Sequence, residues 1–133
     1  MLKRVHHINF VVHDLQKAIT RYEKIFGVNS ATITEHSERP VITARFKVGE
    51  SWIVLIQPRD KNSAPARHLA QYGEGFYLIS YEVDDIESAI NHVRNNGGNM
   101  LDQEPRKGIL NWQVADLEPE TTFNALTQLV EEK

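Results

Sequence analysis

The chain has 133 residues, a formal net charge of −3 and a sequence pI near 6.1. Its length suits one domain with a buried core, and 41% hydrophobic with 25% charged residues is typical of a globular protein. The absence of cysteine excludes disulfides, zinc–thiolate sites and cysteine nucleophiles. No basic stripe and no apolar run of about 20 residues is present, so we expect a cytoplasmic protein without nucleic-acid or membrane partners.

The first part of the chain predicts a strand, a helix and three more strands. Val5–Val12 is rich in β-branched and aromatic residues, which favours a strand. A helix is expected after Asp14, because a carboxylate can cap it, apolar residues recur at helical spacing, and Gly27 can end it. The three strands predicted after this helix are Ala31–Glu35, Val41–Val48 and Trp52–Gln57.

The last part of the chain predicts the same order of elements. A linker over residues 59–75 holds a short helix at Ala66–Tyr72. The strand Phe76–Val83 leads into a helix that Asp84 or Asp85 caps and that Gly97-Gly98 ends. The strands expected after this second long helix are Asn99–Gln103, Asn111–Leu117 and Thr121–Val130.

A shift of 71 residues superimposes the two parts as an internal repeat. The identical pairs are Ile8 and Ile79, Val12 and Val83, Asp14 and Asp85, Ala18 and Ala89, Ile19 and Ile90, Gly27 and Gly98, and Leu55 and Leu126. The sequence therefore predicts a single α+β domain over residues 1–133, built from two pseudo-symmetric βαβββ modules at 1–58 and 76–133. Such modules form an open, cupped mixed sheet whose concave face is a natural ligand pocket.

The residues that open the chain resemble a known superfamily. His7 to Leu15, followed by Ala18-Ile19 and Tyr22, is similar to the start of vicinal oxygen chelate proteins, such as glyoxalase I, extradiol dioxygenases and the bleomycin resistance proteins. Nearly the whole chain shares the resemblance. The segments most similar to the methylmalonyl-CoA epimerase branch are Gly73–Phe76, Val83–Glu87 and Glu104–Gly108.

The resemblance implies where a metal ion would bind. In metal-dependent members a divalent cation takes four ligands from the first and last strands of the two modules. The matching positions of this chain are His7, Val54, Leu78 and Ala125, which the shift of 71 residues also pairs. Only the histidine carries a donor atom, because valine, leucine and alanine have no lone pair for a cation. We therefore expect a degenerate metal site and no cofactor.

Neighbouring donors do not replace the missing ligands. Tyr77 and Gln57 point to the opposite strand face, and Glu82 lies four residues from Leu78, roughly 13 Å along a strand. The resemblance also implies two catalytic carboxylates in the epimerases. Their positions would be Ala125 and, in a loosely aligned stretch, near Thr43, so neither carries an acid. We therefore do not expect methylmalonyl-CoA epimerase activity.

The candidate ligand-binding residues are polar and apolar side chains on the pocket face of the strands. His7 is either a general base or hydrogen-bond donor to a ligand, or a structural histidine, whereas His6 is expected on the other face. Asn9 and Ser80 are symmetry-related polar groups that a ligand or water would satisfy. The apolar candidates are Trp52, Val54, Ile56, Leu78, Trp112 and Ala125.

Three functions remain open from the sequence. The first is a metal-independent small-molecule-binding protein, similar to the resistance-type members of the superfamily and expected to be a homodimer. The alternative is an epimerase-like isomerase or lyase that acts on an acyl thioester or small organic acid. It would use His7 as its base without a metal, or recruit a metal through donors that the sequence does not reveal. The third is a structural module with a filled core and no cavity.

Overall fold

The computed structural model describes residues 1–29, 31–36 and 40–133. Over these residues, the order of strands and helices is βαβββ, a connecting helix, and βαβββ again. The predicted α+β class is confirmed. The elements are β1 Arg4–Val11, α1 Leu15–Phe26, β2 Thr32–Glu35, β3 Val41–Val48, β4 Ser51–Pro58, α2 Ala64–Tyr72, β5 Gly75–Glu82, α3 Ile86–Asn95, β6 Arg106–Lys107, β7 Trp112–Asp116 and β8 Thr127–Glu132.

Two compact units make up the chain. The central unit is Ile8–Tyr77, and the terminal unit combines Met1–His7 with Leu78–Lys133. β1 and β5 each begin in one unit and end in the other. Of the described helices, none has the length and apolar composition needed to cross a membrane.

In the central unit, one sheet face packs against α1. The strand order is β2-β3-β4-β1, with β3 antiparallel to both β2 and β4. Asp14 caps α1 by accepting a hydrogen bond from the Lys17 amide, and Gly27 ends it with a φ of 66°. The apolar cluster between α1 and the sheet consists of Val12, Leu15, Ile19, Ala44, Phe46 and Leu55.

In the terminal unit, α3 covers the equivalent sheet face. The strand order is β1-β5-β8-β7-β6, with β5 parallel to β8 and antiparallel pairing from β8 through β6. Asp85, not Asp84, caps α3, because its carboxylate accepts from the Ser88 amide. Asp84 instead forms a 3.0 Å ion pair with Lys3. The apolar cluster consists of Val83, Ile86, Ala89, Ile90, Met100, Ala115, Leu117 and Leu129.

One predicted strand of the terminal unit is wrong, and another begins later than predicted. Asn99–Gln103 forms only an isolated bridge from Met100 to Leu117, and the strand in this region is the short β6. Residues 121–126 do not belong to the last strand. A 3-10 turn at Pro119–Thr122 and left-handed Phe123 and Asn124 come first, so β8 starts only at Thr127. Left-handed residues cannot continue a strand.

Candidate functional site

The terminal unit buries two neighbouring histidines against a tryptophan. The His7 ring stacks on the Trp112 ring, with centroids 4.9 Å apart and planes 21° apart, while His6 meets Trp112 edge-on at 4.6 Å. All three side chains are buried, and the His6 ring, although expected on the other strand face, contacts the rings of His7 and Trp112. We call His6, His7, Trp112, Gln128 and Glu132 the imidazole network.

Hydrogen bonds fix the tautomer of each histidine. His6 Nε2 and Trp112 Nε1 both lie within 3.1 Å of Glu132 Oε1, so both nitrogens donate to that carboxylate. In neutral His6, Nδ1 is then an acceptor. His7 Nδ1 lies 2.9 Å from it and therefore donates. The network thus holds two neutral imidazoles beside one carboxylate.

The pKa values of the network agree with this assignment. Burial, assisted by the neighbouring His6, lowers the pKa of His7 to about 3, and a hydrogen bond with Gln128 only partly opposes this. Burial also lowers the pKa of His6, against the effect of Glu132. Partial burial alone would raise the Glu132 pKa, but hydrogen bonds from His6 and Trp112 hold it below its ordinary value. His7 is therefore a poor base at neutral pH.

Gln128, which the sequence analysis did not select, is held in one orientation by two side chains. Its Nε2 donates to Asp116 Oδ1 at 2.9 Å, and its Oε1 accepts from the buried Ser80 hydroxyl at 3.0 Å. Arg106 in turn donates to Asp116 Oδ2 at 2.8 Å. Ser80 is thus satisfied within the protein.

The fourth ligand position of the superfamily corresponds to Gln128 and not to Ala125. In the central unit the Val12 amide donates to the Ile56 carbonyl, and in the terminal unit the Val83 amide donates to the Val130 carbonyl, both at 2.9 Å. The last strands are therefore related by 74 residues, although the first strands are related by 71.

Side-chain contacts of the two helices support the same register. The Leu15 amide donates to the Gln57 side chain, and the Ile86 amide donates to the Glu131 side chain. The equivalent of Val54 is then Gln128. Ala125 is exposed in the loop before β8, so its expected role in the pocket wall is wrong.

The central unit has a second candidate surface on the sheet face opposite α1. Arg45 pairs with Val54 and Thr43 pairs with Ile56 in the β3–β4 ladder, so these side chains share one face. We call this surface the Arg45 face, which consists of Asn9, Thr43, Arg45, Trp52, Val54 and Ile56. Thr43 Oγ1 lies 3.2 Å from His36 Nε2, and Trp52 is partly exposed.

The residues at the ligand positions do not fit a divalent cation. Val54 and Leu78 are buried aliphatic side chains, and the side chains of His7 and Gln128 are hydrogen-bonded within the terminal unit. The described ranges 1–29, 31–36 and 40–133 contain no group of three or more His, Asp or Glu side chains arranged to hold a metal. The neighbouring donors are also engaged, since Gln57 accepts from Leu15 and Glu82 pairs with Arg4.

A concavity of about 520 Å³ lies beside α1 in the central unit. Apolar side chains of β1 and α1 line it together with two cations one helical turn apart, Lys17 and Arg21. Its acidic members are engaged, since Asp14 caps α1 and Glu74 accepts from the His13 amide. It is open to solvent on the α1 side of the sheet, away from the Arg45 face. The remaining lining residues are Phe10, Val12, Ala18, Tyr22 and Gly75.

The family follows from comparison with known proteins. A model of the Glyoxalase/Bleomycin resistance protein/Dioxygenase superfamily matches residues 6–115. This chain belongs to that superfamily, as its repeated βαβββ order also indicates.

Relatives in the same superfamily match the chain along almost its full length. It is 26% identical over 131 residues to the ethylmalonyl-CoA/methylmalonyl-CoA epimerase of Cereibacter sphaeroides, with 97% of this chain and 98% of the relative covered. It is 24% identical over 132 residues to the uncharacterized protein YqjC of Bacillus subtilis, with 99% and 94% covered.

Solved structures agree with these relatives. The methylmalonyl-CoA epimerase of Streptomyces coelicolor in complex with 2-nitronate-propionyl-CoA superposes with a TM-score of 0.92, 28% identity and 99% of both chains covered. A hypothetical protein from Bacillus halodurans C-125 superposes with a TM-score of 0.93 and 28% identity, with 98% of this chain and 94% of that chain covered.

Proposed function

We propose that this chain is a small-molecule-binding protein that takes an acyl thioester or a related organic acid without a protein-held divalent cation. The observation that carries the proposal is the state of His7. Its ring is buried, neutral and partnered by His6 and Gln128, so it is neither an available metal ligand nor an effective base. Val54 and Leu78 support the same view, because their aliphatic side chains have no donor atom for a cation.

The ligand class rests on the relatives. An epimerase that this chain resembles at 28% identity has been solved with methylmalonyl-CoA, and another with 2-nitronate-propionyl-CoA. Both molecules are coenzyme A derivatives with a short acyl group. A protein that keeps the fold but has other residues at the metal-ligand positions can still bind such a molecule without catalysing its reaction.

Calorimetric titration with acetyl-CoA and malonyl-CoA tests the proposal. The protein is titrated as purified and again after treatment with EDTA, and its metal content is measured by mass spectrometry. We expect saturable binding that EDTA leaves unchanged and less than one-tenth of an equivalent of transition metal. Stoichiometric metal whose removal abolishes binding would overturn the proposal, as would no binding by either thioester.

An isomerase acting on an acyl thioester is the second candidate, favoured by the nearly full-length similarity to epimerases. Exchange of the C2 proton of methylmalonyl-CoA in deuterated buffer, followed by mass spectrometry, distinguishes it from a binding protein. The binding proposal predicts no exchange above the buffer rate. Enzyme-dependent exchange that persists in His92→Gln, an exposed control substitution, and disappears in His7→Phe would establish the isomerase and its base.

A homodimer and a cytoplasmic location belong to this proposal as well. Superfamily members of the resistance type complete their pockets as dimers, and the repeat in this chain would make two pockets per dimer. Light scattering coupled to size-exclusion chromatography gives the mass directly. A mass of 15.3 kDa would reject the dimer and leave the binding proposal standing.

A further inference from the structure

Arg45 is a buried cation for which the described residues provide no counter-ion. Its residue is 9% exposed, its Nη1 donates to Thr34 Oγ1 at 3.0 Å, and its Nε has no partner. Among the described residues, no carboxylate lies within ion-pair distance of this guanidinium. Burial of an unpaired charge is costly, and proteins normally compensate it with an opposite charge.

The surroundings of Arg45 strengthen the positive character of this face. The Arg45 Cζ lies 5.4 Å from the centre of the Trp52 ring, and Lys47 Nζ lies 4.6 Å from the same ring. Lys47 donates a hydrogen bond to the Glu50 carbonyl at 3.3 Å and remains exposed. Two cations on an aromatic plane form a surface that attracts an oxyanion and gives an apolar ligand group somewhere to pack.

A second unpartnered polar atom lies on the same face. Asn9 is 8% exposed, and its Oδ1 has no hydrogen-bond partner. The hydrogen bond from the Val12 amide to the Ile56 carbonyl matches the one from the Val83 amide to the Val130 carbonyl. Glu82 is paired with Val130, so Val11 is paired with Ile56 in the same way. Two residues earlier on each strand, Asn9 is then paired with Val54, and Val54 is paired with Arg45 on its other side.

The row Asn9–Val54–Arg45 therefore runs across three adjacent strands of the central unit. Since neighbouring strands are about 4.8 Å apart, the backbones of Asn9 and Arg45 are separated by roughly 10 Å. Val54, which is fully buried, thus lies between an unpartnered acceptor and a cation. Both groups would be satisfied by one small ligand.

We propose that Arg45 binds an oxyanion of the ligand, a carboxylate or a phosphate, while Asn9 Oδ1 accepts a hydrogen bond from a donor on the same molecule. This inference rests on the proposed function and narrows its ligand to an anionic one. Val54 then serves as the apolar floor between two polar anchors.

Two thioesters that differ by one carboxylate test the inference. Wild-type protein, Arg45→Gln and the matched control Arg59→Gln, which removes an exposed cation of the same unit, are titrated with acetyl-CoA and malonyl-CoA. If the acyl carboxylate contacts Arg45, wild-type protein binds malonyl-CoA about tenfold more tightly, and Arg45→Gln abolishes that difference. If a phosphate of the coenzyme contacts it, Arg45→Gln weakens both thioesters equally. Unchanged affinities in Arg45→Gln would overturn the inference.

A second measurement separates failure of this inference from failure of the proposed function. The Nε–H resonance of Arg45, assigned by its loss in Arg45→Lys, is followed by NMR during titration with malonate and with neutral malonamide. We expect malonate to give a saturable shift of this resonance and malonamide to give none. Asn9→Leu should leave the malonate titration unchanged. With hydroxymalonate, whose hydroxyl can donate to Asn9 Oδ1, the same variant should require a higher concentration for the shift. If neither thioester binds but malonate still shifts the resonance, the acyl thioester is rejected as the ligand and the oxyanion site is kept. Absence of the shift would reject Arg45.

Discussion

The two units treat their buried polar groups in opposite ways. In the terminal unit His6, His7, Gln128 and Glu132 form a continuous set of hydrogen bonds, although all but Glu132 are buried. Over the described residues, the buried side-chain atoms without a hydrogen-bond partner are Asn9 Oδ1 and Arg45 Nε, and both belong to the central unit. A satisfied network stabilises one conformation, whereas unsatisfied atoms mark where a further molecule is expected.

This contrast reverses the roles that the sequence suggested. His7 is the most prominent candidate by resemblance, but its contacts make it part of the packing of the terminal unit. Arg45 carries no motif, yet it is buried with no counter-ion among the described residues, which makes it the stronger candidate for ligand contact. Residues that lose a metal can be absorbed into the core, and a new polar group elsewhere can take over recognition.

The largest expected effect separates the two tryptophans. Trp112→Ala removes a fully buried indole that stacks on His7 and donates to Glu132, so we expect a loss of about 3–5 kcal/mol in the free energy of unfolding. Trp52→Ala removes a partly exposed ring and should cost about 1 kcal/mol while weakening ligand binding. Urea unfolding followed by circular dichroism measures both. Equal losses would contradict the division between a structural and a ligand-binding surface.

Acid should destabilise the protein through the imidazole network. The pKa of His7 is about 3 in the folded protein, against 6.5 when unfolded. Below pH 6.5 the unfolded chain binds a proton that the folded protein does not, so stability is full above that pH and falls as the pH drops toward 3. Between pH 6.5 and pH 5 His7 alone contributes a loss of about 1.5 kcal/mol.

Urea unfolding at several pH values checks this, over a range that stays above the titration of ordinary carboxylates. His7→Phe keeps an aromatic ring against Trp112 and should flatten the profile, although its overall stability is lower because His6 Nδ1 loses its donor. His92→Gln, an exposed substitution in the same unit, is the control and should follow wild type. A wild-type stability that is constant from pH 7 to pH 5 would show that His7 is not held neutral by the fold.

The sequence predicted the elements well where periodicity and caps agree. Asp14, Asp85 and Gly27 act at the helix ends as expected. The position of the last strand could not be predicted, because three extra residues precede β8 and loop residues carry no periodic signal. Leu55 matches Leu126 at a shift of 71 residues and Leu129 at a shift of 74, so the leucine that supported Ala125 does not separate the two registers. The hydrogen bonds of Gln57 with Leu15 and of Glu131 with Ile86 indicate the correct register. They are visible in the structure but not in the sequence.

Substitution of one arginine in each unit should change the free energy of unfolding in opposite directions. Arg45→Met removes a buried charge that has no acidic partner among the described residues and keeps the packing volume, so we expect a gain of about 1 kcal/mol in the free energy of unfolding. Arg106→Met breaks hydrogen bonds to Asp102 and Asp116 and should cost about 1 kcal/mol. Thermal unfolding by calorimetry checks the opposite signs. A loss of stability in Arg45→Met would indicate that the guanidinium is a structural element.

The smallest effect concerns the two left-handed residues that end helical turns. The central unit ends α1 with Gly27 at a φ of 66°, whereas the terminal unit ends its 3-10 turn with Phe123 at a φ of 56°. Phe123 is 95% exposed, so its side chain contributes little packing in this chain. We expect Phe123→Gly to raise the free energy of unfolding by about 0.5 kcal/mol, since glycine tolerates positive φ, and Gly27→Ala to lower it by about 1 kcal/mol. If Phe123→Gly instead lowers stability or changes the mass measured in solution, the exposed ring contacts another molecule, a second copy of the chain being the first to examine.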